Sequence, residues 1–252
     1  MTDRHTALVT GAGSGIGRAI AHRLGADGFA VAVLDLDEHA AERVAEEVRQ
    51  GGNQALAVGG VDVSDRSQVN DAVARTRSAL SPVLVLVNNA GVAGTTGFLK
   101  ISDEMWDRMM AVNLSGPFYC TQAVLPDMID AGWGRIVNIS SSSAQGGQPY
   151  MVHYVSSKAG LIGMTKALAL EFGPNGITVN TIPPGFVDTP MLRDAEARGF
   201  LAGSVDDHAA RSPVRRPGQP EDIAAACSFL VSHEASYITG QVIGINGGRN
   251  TG

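Results

Sequence analysis

Apolar residues in this 252-residue chain fall into two alternating patterns. Short, nearly unbroken apolar runs recur at residues 6–10, 30–34, 55–61, 83–87, 135–139, 177–182 and 241–245. Stretches with apolar positions at helical spacing lie between them. Residues 16–24 and 38–49 are examples, the second with Glu42, Glu46 and Arg49 on a solvated face. A continuously apolar strand is buried on both faces, as in a parallel sheet covered by helices. The pattern predicts an α/β, single-domain, Rossmann-like doubly wound fold: a seven-stranded parallel sheet flanked by helices, with residues 1–252 in one unit. Only residues 188–219 lack clear periodicity, with Pro190, Pro213 and Pro217 among them. A long loop at the carboxyl edge of such a sheet is expected to act as a substrate lid, placed at residues 190–217.

Between the first run and the first helical stretch stands Thr10-Gly11-Ala12-Gly13-Ser14-Gly15-Ile16-Gly17. Glycines there let the backbone turn tightly and let a pyrophosphate approach the helix N-terminus, whose free N–H groups and dipole favour anions. The spacing is T-G-x-x-x-G-x-G rather than G-x-G-x-x-G, but four glycines at a strand–helix junction predict dinucleotide binding. Asp35 closes the second run, about where an acidic residue accepts hydrogen bonds from the adenosine ribose. Its carboxylate would repel a 2′-phosphate, and neither Ser14 nor Leu36 offers a cation. The expected cofactor is therefore NAD. Asp37 stands ready to cap the next helix instead of Asp35.

Further along the chain come Asp62-Val63, Asn88-Asn89-Ala90-Gly91, Asn113, Ser141, Tyr154-Val155-Ser156-Ser157-Lys158 and Pro184-Gly185-Phe186-Val187-Asp188-Thr189. With the glycine loop, their order and spacing make the chain resemble the short-chain dehydrogenase/reductase family along nearly its whole length. The resemblance implies a catalytic set of Asn113, Ser141, Tyr154 and Lys158. Tyr154 and Lys158 are four apart on a predicted helix and share a face. A phenol, pKa ~10, is a poor proton acceptor until nearby positive charge stabilises the phenolate. Ser141, thirteen positions before Tyr154, could hydrogen-bond the substrate oxygen as charge develops there. Ser140, Ser142 and Ser143 flank it, with Ser143 a second possible contact.

By the same resemblance Lys158 also binds the nicotinamide ribose, and Asn113 holds a water leading to Lys158. The cofactor contacts it implies are Gly11, Ser14, Gly15, Ile16 and Gly17, then Asp35 and Leu36, then Asp62 and Val63 at the adenine edge. Asn88, Asn89, Ala90 and Gly91 follow along the ribose and pyrophosphate path, and Pro184, Gly185, Val187 and Thr189 around the nicotinamide amide. Pro183 departs from the pattern, which more often has a small residue there. The expected pocket wall comprises Gln148, Met151, Phe186, Met191 and Leu192, beside Ser141, Ser143 and Tyr154, with Tyr150 nearby. Such a wall suits an apolar or cyclic, steroid-like alcohol or ketone. A 3-oxoacyl thioester reductase is the alternative, with Arg198, Arg211, Arg215 or Arg216 on a carrier's phosphates. A catalytically idle nucleotide-binding regulator is the rival outside enzymes.

Composition narrows the partners. A formal net charge of −6 argues against nucleic acid, which requires a basic surface. Cys120 and Cys227 lack a CxxC partner or a nearby His pair, so no metal is expected and a reducing cytoplasm is. Residues 1–5 show no signal-peptide pattern, and no segment approaches the ~20 apolar residues that cross a bilayer. Helical stretches at 103–128 and 151–172 carry more apolar residues than one buried face needs, and related enzymes pair these helices as homotetramers.

Overall fold

The structure, a computed structural model, describes residues 5–200 and 203–251. Six parallel strands form one sheet: β1 (Thr6–Thr10), β2 (Ala30–Leu34), β3 (Ala55–Val58), β4 (Val83–Asn88), β5 (Gly134–Ile139) and β6 (Ile177–Ile182). Their spatial order is β3-β2-β1-β4-β5-β6. Successive residues of a strand point to opposite faces, and each face has its own core. Ala7, Val9, Val85 and Val87 pack with residues of the helices α1 (Gly15–Ala26) and α10 (Pro220–Val231). Leu8, Leu86 and Ile136 pack on the other face with α3 (Arg66–Ala79) and α5 (Gly116–Ala131). Burial on both faces is why these strands are apolar at nearly every position.

The expected seventh strand is not formed. Residues 241–245 run parallel beside β6 but make only isolated bridges, Thr181 to Val242 and Pro184 to Ile245. Thr181 N–H donates to the Gln241 carbonyl, and Ile243 N–H donates to the Thr181 carbonyl. The next ladder donor on the β6 side would be residue 183, a proline without an N–H. Pro183 thus interrupts the ladder, which resumes where Gly185 N–H donates to the Ile245 carbonyl at 3.1 Å.

Sheet order reverses at β1, with β2 on one side and β4 on the other. Such a reversal opens a crevice beyond the carboxyl ends of the strands, where ligands bind in this architecture. Asp37 caps α2 (Glu38–Gln50) by accepting from Ala40 N–H, which leaves Asp35 outside the capping arrangement. The apolar stretch at 103–128 is not one regular helix. It comprises α4 (Asp103–Met110), a π-helical turn (Ala111–Ser115) and α5, so the ladder changes register around Asn113. The short α6 (Ser143–Gly146) and the long α7 (Val152–Phe172) follow β5. Within the stretch expected as a lid lie α8 (Pro190–Ala197) and α9 (Val205–Arg211), and residues 201–202 of that stretch are outside the described residues. Among the described residues no helix is long and apolar enough to cross a membrane.

Candidate active site

The glycine loop after β1 and the segment after β4 meet in the crevice. The Asn89 side-chain amide donates to the carbonyls of Thr10 and Gly11, both at 3.0 Å. Thr10 Oγ1 accepts from the N–H groups of Asn89 and Ala90, both at 3.0 Å. Asn89 therefore acts as a clamp that shapes the loop, a task its sequence position did not reveal. A Cβ on Gly17 would lie 2.2 Å from the Gly11 carbonyl oxygen, and one on Gly11 would lie 2.8 Å from Ala90 Cα. Only glycine permits that approach. Ser14 is the N-cap of α1, yet its side chain makes no capping bond and is exposed, so the helix N-terminus is open to an anion. These features fit a dinucleotide pyrophosphate. Thr189 and Pro190 arrive from the other side, and a Cβ on Gly15 would lie 3.4 Å from Thr189 Cγ2.

Asp35 Oδ2 accepts from Gly13 N–H at 2.8 Å, and Oδ1 accepts from Asp37 N–H at 3.0 Å. Each oxygen keeps a lone pair for a ribose hydroxyl. Leu36 beside it is 61% exposed, as a residue covering an adenosine would be. Arg43 reaches the same corner, 3.3 Å from the Gly13 carbonyl, a cation that sequence reading did not place there. Asp62 is already engaged: Ser64 N–H and Oγ donate to its Oδ1, and Arg108 pairs with Oδ2 at 3.0 Å. Although burial opposes ionisation, the Ser64 and Arg108 contacts hold its carboxyl below the usual range. Val63 is buried against Gly116, so any cofactor contact there comes from backbone.

At the other end β5 leads into Ser141. Tyr154, two residues after the start of α7, has its phenol near Ser141, whose hydroxyl favours the phenolate. Ser141 Oγ lies 2.8 Å from Ser143 Oγ, so the two serine hydroxyls are paired. One turn on, Lys158 is buried and donates from Nζ to the Ile139 carbonyl at 2.9 Å. Burial pushes its ammonium down to about 8, while burial raises the Tyr154 phenol, offset in part by Ser141. Lys158 thus meets a strand carbonyl one turn along α7 from Tyr154.

Asn113, fully buried in the π turn, holds the loop after β4 in place. Its Oδ1 accepts from Val92 N–H, and its Nδ2 donates to the Val92 carbonyl, both at 2.9 Å. Nδ2 also approaches Ser157 Oγ at 3.1 Å, on the helix carrying Tyr154 and Lys158. A Cβ on Gly91 would lie 3.0 Å from Asn113 Oδ1 and 3.3 Å from Lys158 Nζ. Gly91 thus separates the two groups by a gap that only a glycine leaves open.

The loop after β6 forms the next wall. Ser142 N–H donates to the Pro184 carbonyl, and Asp188 N–H to the Gly218 carbonyl, which fixes Val187 between them. The Phe186 ring stacks on His208 of α9 at 4.1 Å, and the Arg249 guanidinium lies 4.4 Å from the same ring centre. Arg249 also donates to Gln148 at 3.3 Å, and so joins two expected pocket residues. Met151 and Leu192 are half-buried, and Met191 is exposed on the first turn of α8. Tyr150 stands at the rim with φ of 62°, its carbonyl held by Thr96 N–H at 2.7 Å. His208 and Arg249 escaped sequence reading because neither lies in a periodic or motif-bearing stretch. Gly247-Gly248 before Arg249 was the one local signal.

Residues 11–250 match the family profile described as Enoyl-(Acyl carrier protein) reductase. The chain is 41% identical over 251 residues to the short-chain reductase protein NovJ of Streptomyces niveus, covering 99% of this chain and 95% of that one. It is 39% identical over 253 residues to the acetoacetyl-CoA reductase of Cupriavidus necator, covering 100% of both. An actinorhodin polyketide ketoreductase solved with NADPH superposes with a TM-score of 0.93 at 37% identity, with 98% of each chain covered. Profile, relatives and fold agree with the glycine loop, the Ser141–Tyr154 contact and buried Lys158: the chain belongs to the short-chain dehydrogenase/reductase family.

Proposed function

We propose that this oxidoreductase transfers a hydride between NAD(H) and a secondary alcohol or ketone, with Tyr154 moving the proton at the substrate oxygen. The observation that carries the reading is the Tyr154 phenol beside Ser141, with Lys158 buried one turn further along α7. When bound, the nicotinamide supplies or takes up the hydride. Ser141 donates to the substrate oxygen as negative charge grows there, and Tyr154 delivers or removes the proton at that oxygen. Lys158 holds the ribose and adds positive charge beside the phenol. Asn113 positions the helix face through Ser157 and the loop through Val92.

The remaining cofactor contacts are those expected of the glycine loop, Asp35, Leu36, Asp62, Val63, the 89–91 segment and the 184–189 loop. NAD is favoured by the expected place of Asp35 beside the adenosine ribose, where its carboxylate would repel a 2′-phosphate. An apolar or cyclic ketone fits Met151, Phe186 and Leu192. A 3-oxoacyl thioester is the second reading, favoured by the likeness to an acetoacetyl-CoA reductase. An idle nucleotide-binding regulator would have no use for Ser141, Tyr154, Lys158 and Asn113 together. Oxidation of NADH with a panel of ketones and acyl thioesters tests the function, and Tyr154→Phe is its control. A wild-type protein that reduces none of them would refute it.

Two further features belong to the same reading. Trp106, Phe118, Ile129 and Leu170 expose apolar surface on α4, α5 and α7, which supports pairing of these helices in a homotetramer. Light scattering at micromolar concentration tests this; a monomer would contradict it. The segment 190–217 acts as the lid, and hydrogen exchange with and without cofactor and substrate should show protection on closure. Buried Cys120 and Cys227, their thiols pushed up to about 12 by burial, suit a reducing cytoplasm.

A further inference from the structure

Three arginines of the lid segment have carboxylate partners: Arg193 with Asp188 and Glu196, Arg198 with Asp194, and Arg216 with Asp222. Arg249 differs. It is exposed, its contacts are Gln148 and the Phe186 ring, and among the described residues no carboxylate lies within ion-pair distance of it, as is also true of Arg211 and Arg215. A guanidinium has five N–H donors, so these contacts leave most of its capacity unused.

The chain is built to put Arg249 there. Gly247 and Gly248 have φ of 64° and 82°, and side chains at these positions would strike the lid. A Cβ on Gly247 would lie 2.8 Å from Val214, and one on Gly248 would lie 2.7 Å from Pro213. The glycine pair thus threads the chain beneath residues 213–214. On the far side Asn250 donates to the Ser142 carbonyl at 2.8 Å, beside the Ser141–Ser143 hydroxyl pair. Arg249 is held between the lid and the serine turn that carries Ser141.

A second side chain meets the same ring. His208 Nε2 is buried without a hydrogen-bond partner among the described residues, and its ring stacks on the Phe186 ring that Arg249 also covers. Burial, and after it the positive charges of Arg249 and Arg211, disfavour protonation of His208, against the Asp207 carboxylate. Arg249 and His208 thus both pack on the ring of Phe186, an expected pocket residue. A guanidinium without an ion-pair partner gains from an arriving oxyanion, which Arg binds through paired, charge-assisted hydrogen bonds.

We infer that Arg249, oriented by Gln148 and the Phe186 ring, binds a carboxylate or phosphate on the substrate, remote from the carbonyl that Tyr154 serves. This narrows the substrate class of the proposed reaction to ketones or alcohols bearing an anionic group, and rests on that reading. Carboxylate and phosphate share the chemistry and are separated by the test.

The test measures binding to the NAD⁺ complex, in which a ketone cannot turn over. Methyl-ketone carboxylic acids of increasing chain length are each compared with their methyl esters by calorimetry. Acetoacetyl-CoA is compared with the acetoacetyl thioester of N-acetylcysteamine in the phosphate arm. In the wild type one anionic member should bind about 10–100-fold more tightly than its neutral partner, the range for a charge-assisted hydrogen bond. Arg249→Gln should remove that ratio, and Arg249→Lys should keep part of it. A mere packing role for Arg249 would weaken acid and ester alike and leave the ratio intact, which would overturn the inference. So would equal binding of both partners, or no binding of any acid or CoA ester at millimolar concentration. NAD⁺ titrated alone reports separately on the proposed cofactor, so failure of the underlying reading is distinguishable.

Discussion

The Gly13 N–H donates to Asp35 Oδ2 at 2.8 Å and ties the phosphate loop to the end of β2. Asp35 thus has two consequences, one for the loop and one for the ribose. On the proposed reading, wild type should use NAD far better than NADP, because the Asp35 carboxylate would meet a 2′-phosphate. Asp35→Ser should raise kcat/KM for NADP and lower it for NAD, helped by Arg43, whose guanidinium is 3.3 Å from the Gly13 carbonyl. Steady-state kinetics with both cofactors checks this; equal use of the two by wild type would defeat it.

Lys158 predicts a specific dependence of stability on pH. Its ammonium is lowered by burial from 10.5 to about 8. Between those values the unfolded chain carries a proton that the native protein has released, so native stability gains as pH rises through that window. The cost of burying the charge is fully present below pH about 8 and is relieved above it. Lys158→Met removes the group from both states. The stability of wild type relative to this variant should therefore increase from pH 8 to 10.5, as urea unfolding would show. A constant difference across the window would contradict the burial.

Asn113 links the loop after β4 to α7 through buried hydrogen bonds to Val92 and Ser157. Asn113→Ala leaves the Val92 N–H and carbonyl without that partner, at about 1–3 kcal/mol for each group that stays dry. Asn113→Asp keeps the acceptor for the Val92 N–H but turns a second oxygen and a buried charge toward the Val92 carbonyl, so it should cost at least as much. Denaturant midpoints of both variants provide the check; an Asn113→Ala protein as stable as wild type would show that the bonds are dispensable.

What was legible in the sequence follows from the range of the physics involved. Strands β1, β2, β4, β5 and β6 are readable because burial on both faces writes itself into consecutive residues. The crevice is readable because a phosphate loop requires glycine at fixed positions such as Gly11 and Gly17. The last strand was misread because Gln241–Ile245 is apolar enough, but the missing donor is Pro183, on the neighbouring segment. Asn89 could be seen as important, yet its clamp on Thr10 and Gly11 spans the gap between β1 and β4 and leaves no local trace. The π turn at Asn113 was partly visible, since Asn fits poorly in a helix interior. Arg249, His208 and Phe186 come together only through tertiary contacts, so their association was out of reach.

The central claim is that Tyr154 moves a proton at the substrate oxygen, and the most direct measurement separates that step from binding. Tyr154→Phe keeps the ring in its place beside Ser141 and removes only the hydroxyl. NADH affinity, read from its fluorescence, should stay within a few-fold of wild type. Turnover of the best ketone should fall about 10²–10⁴-fold or more, the contribution expected of a positioned acid–base group. Retention of more than a few per cent of wild-type turnover, with NADH binding unchanged, would show that the proton travels by another route.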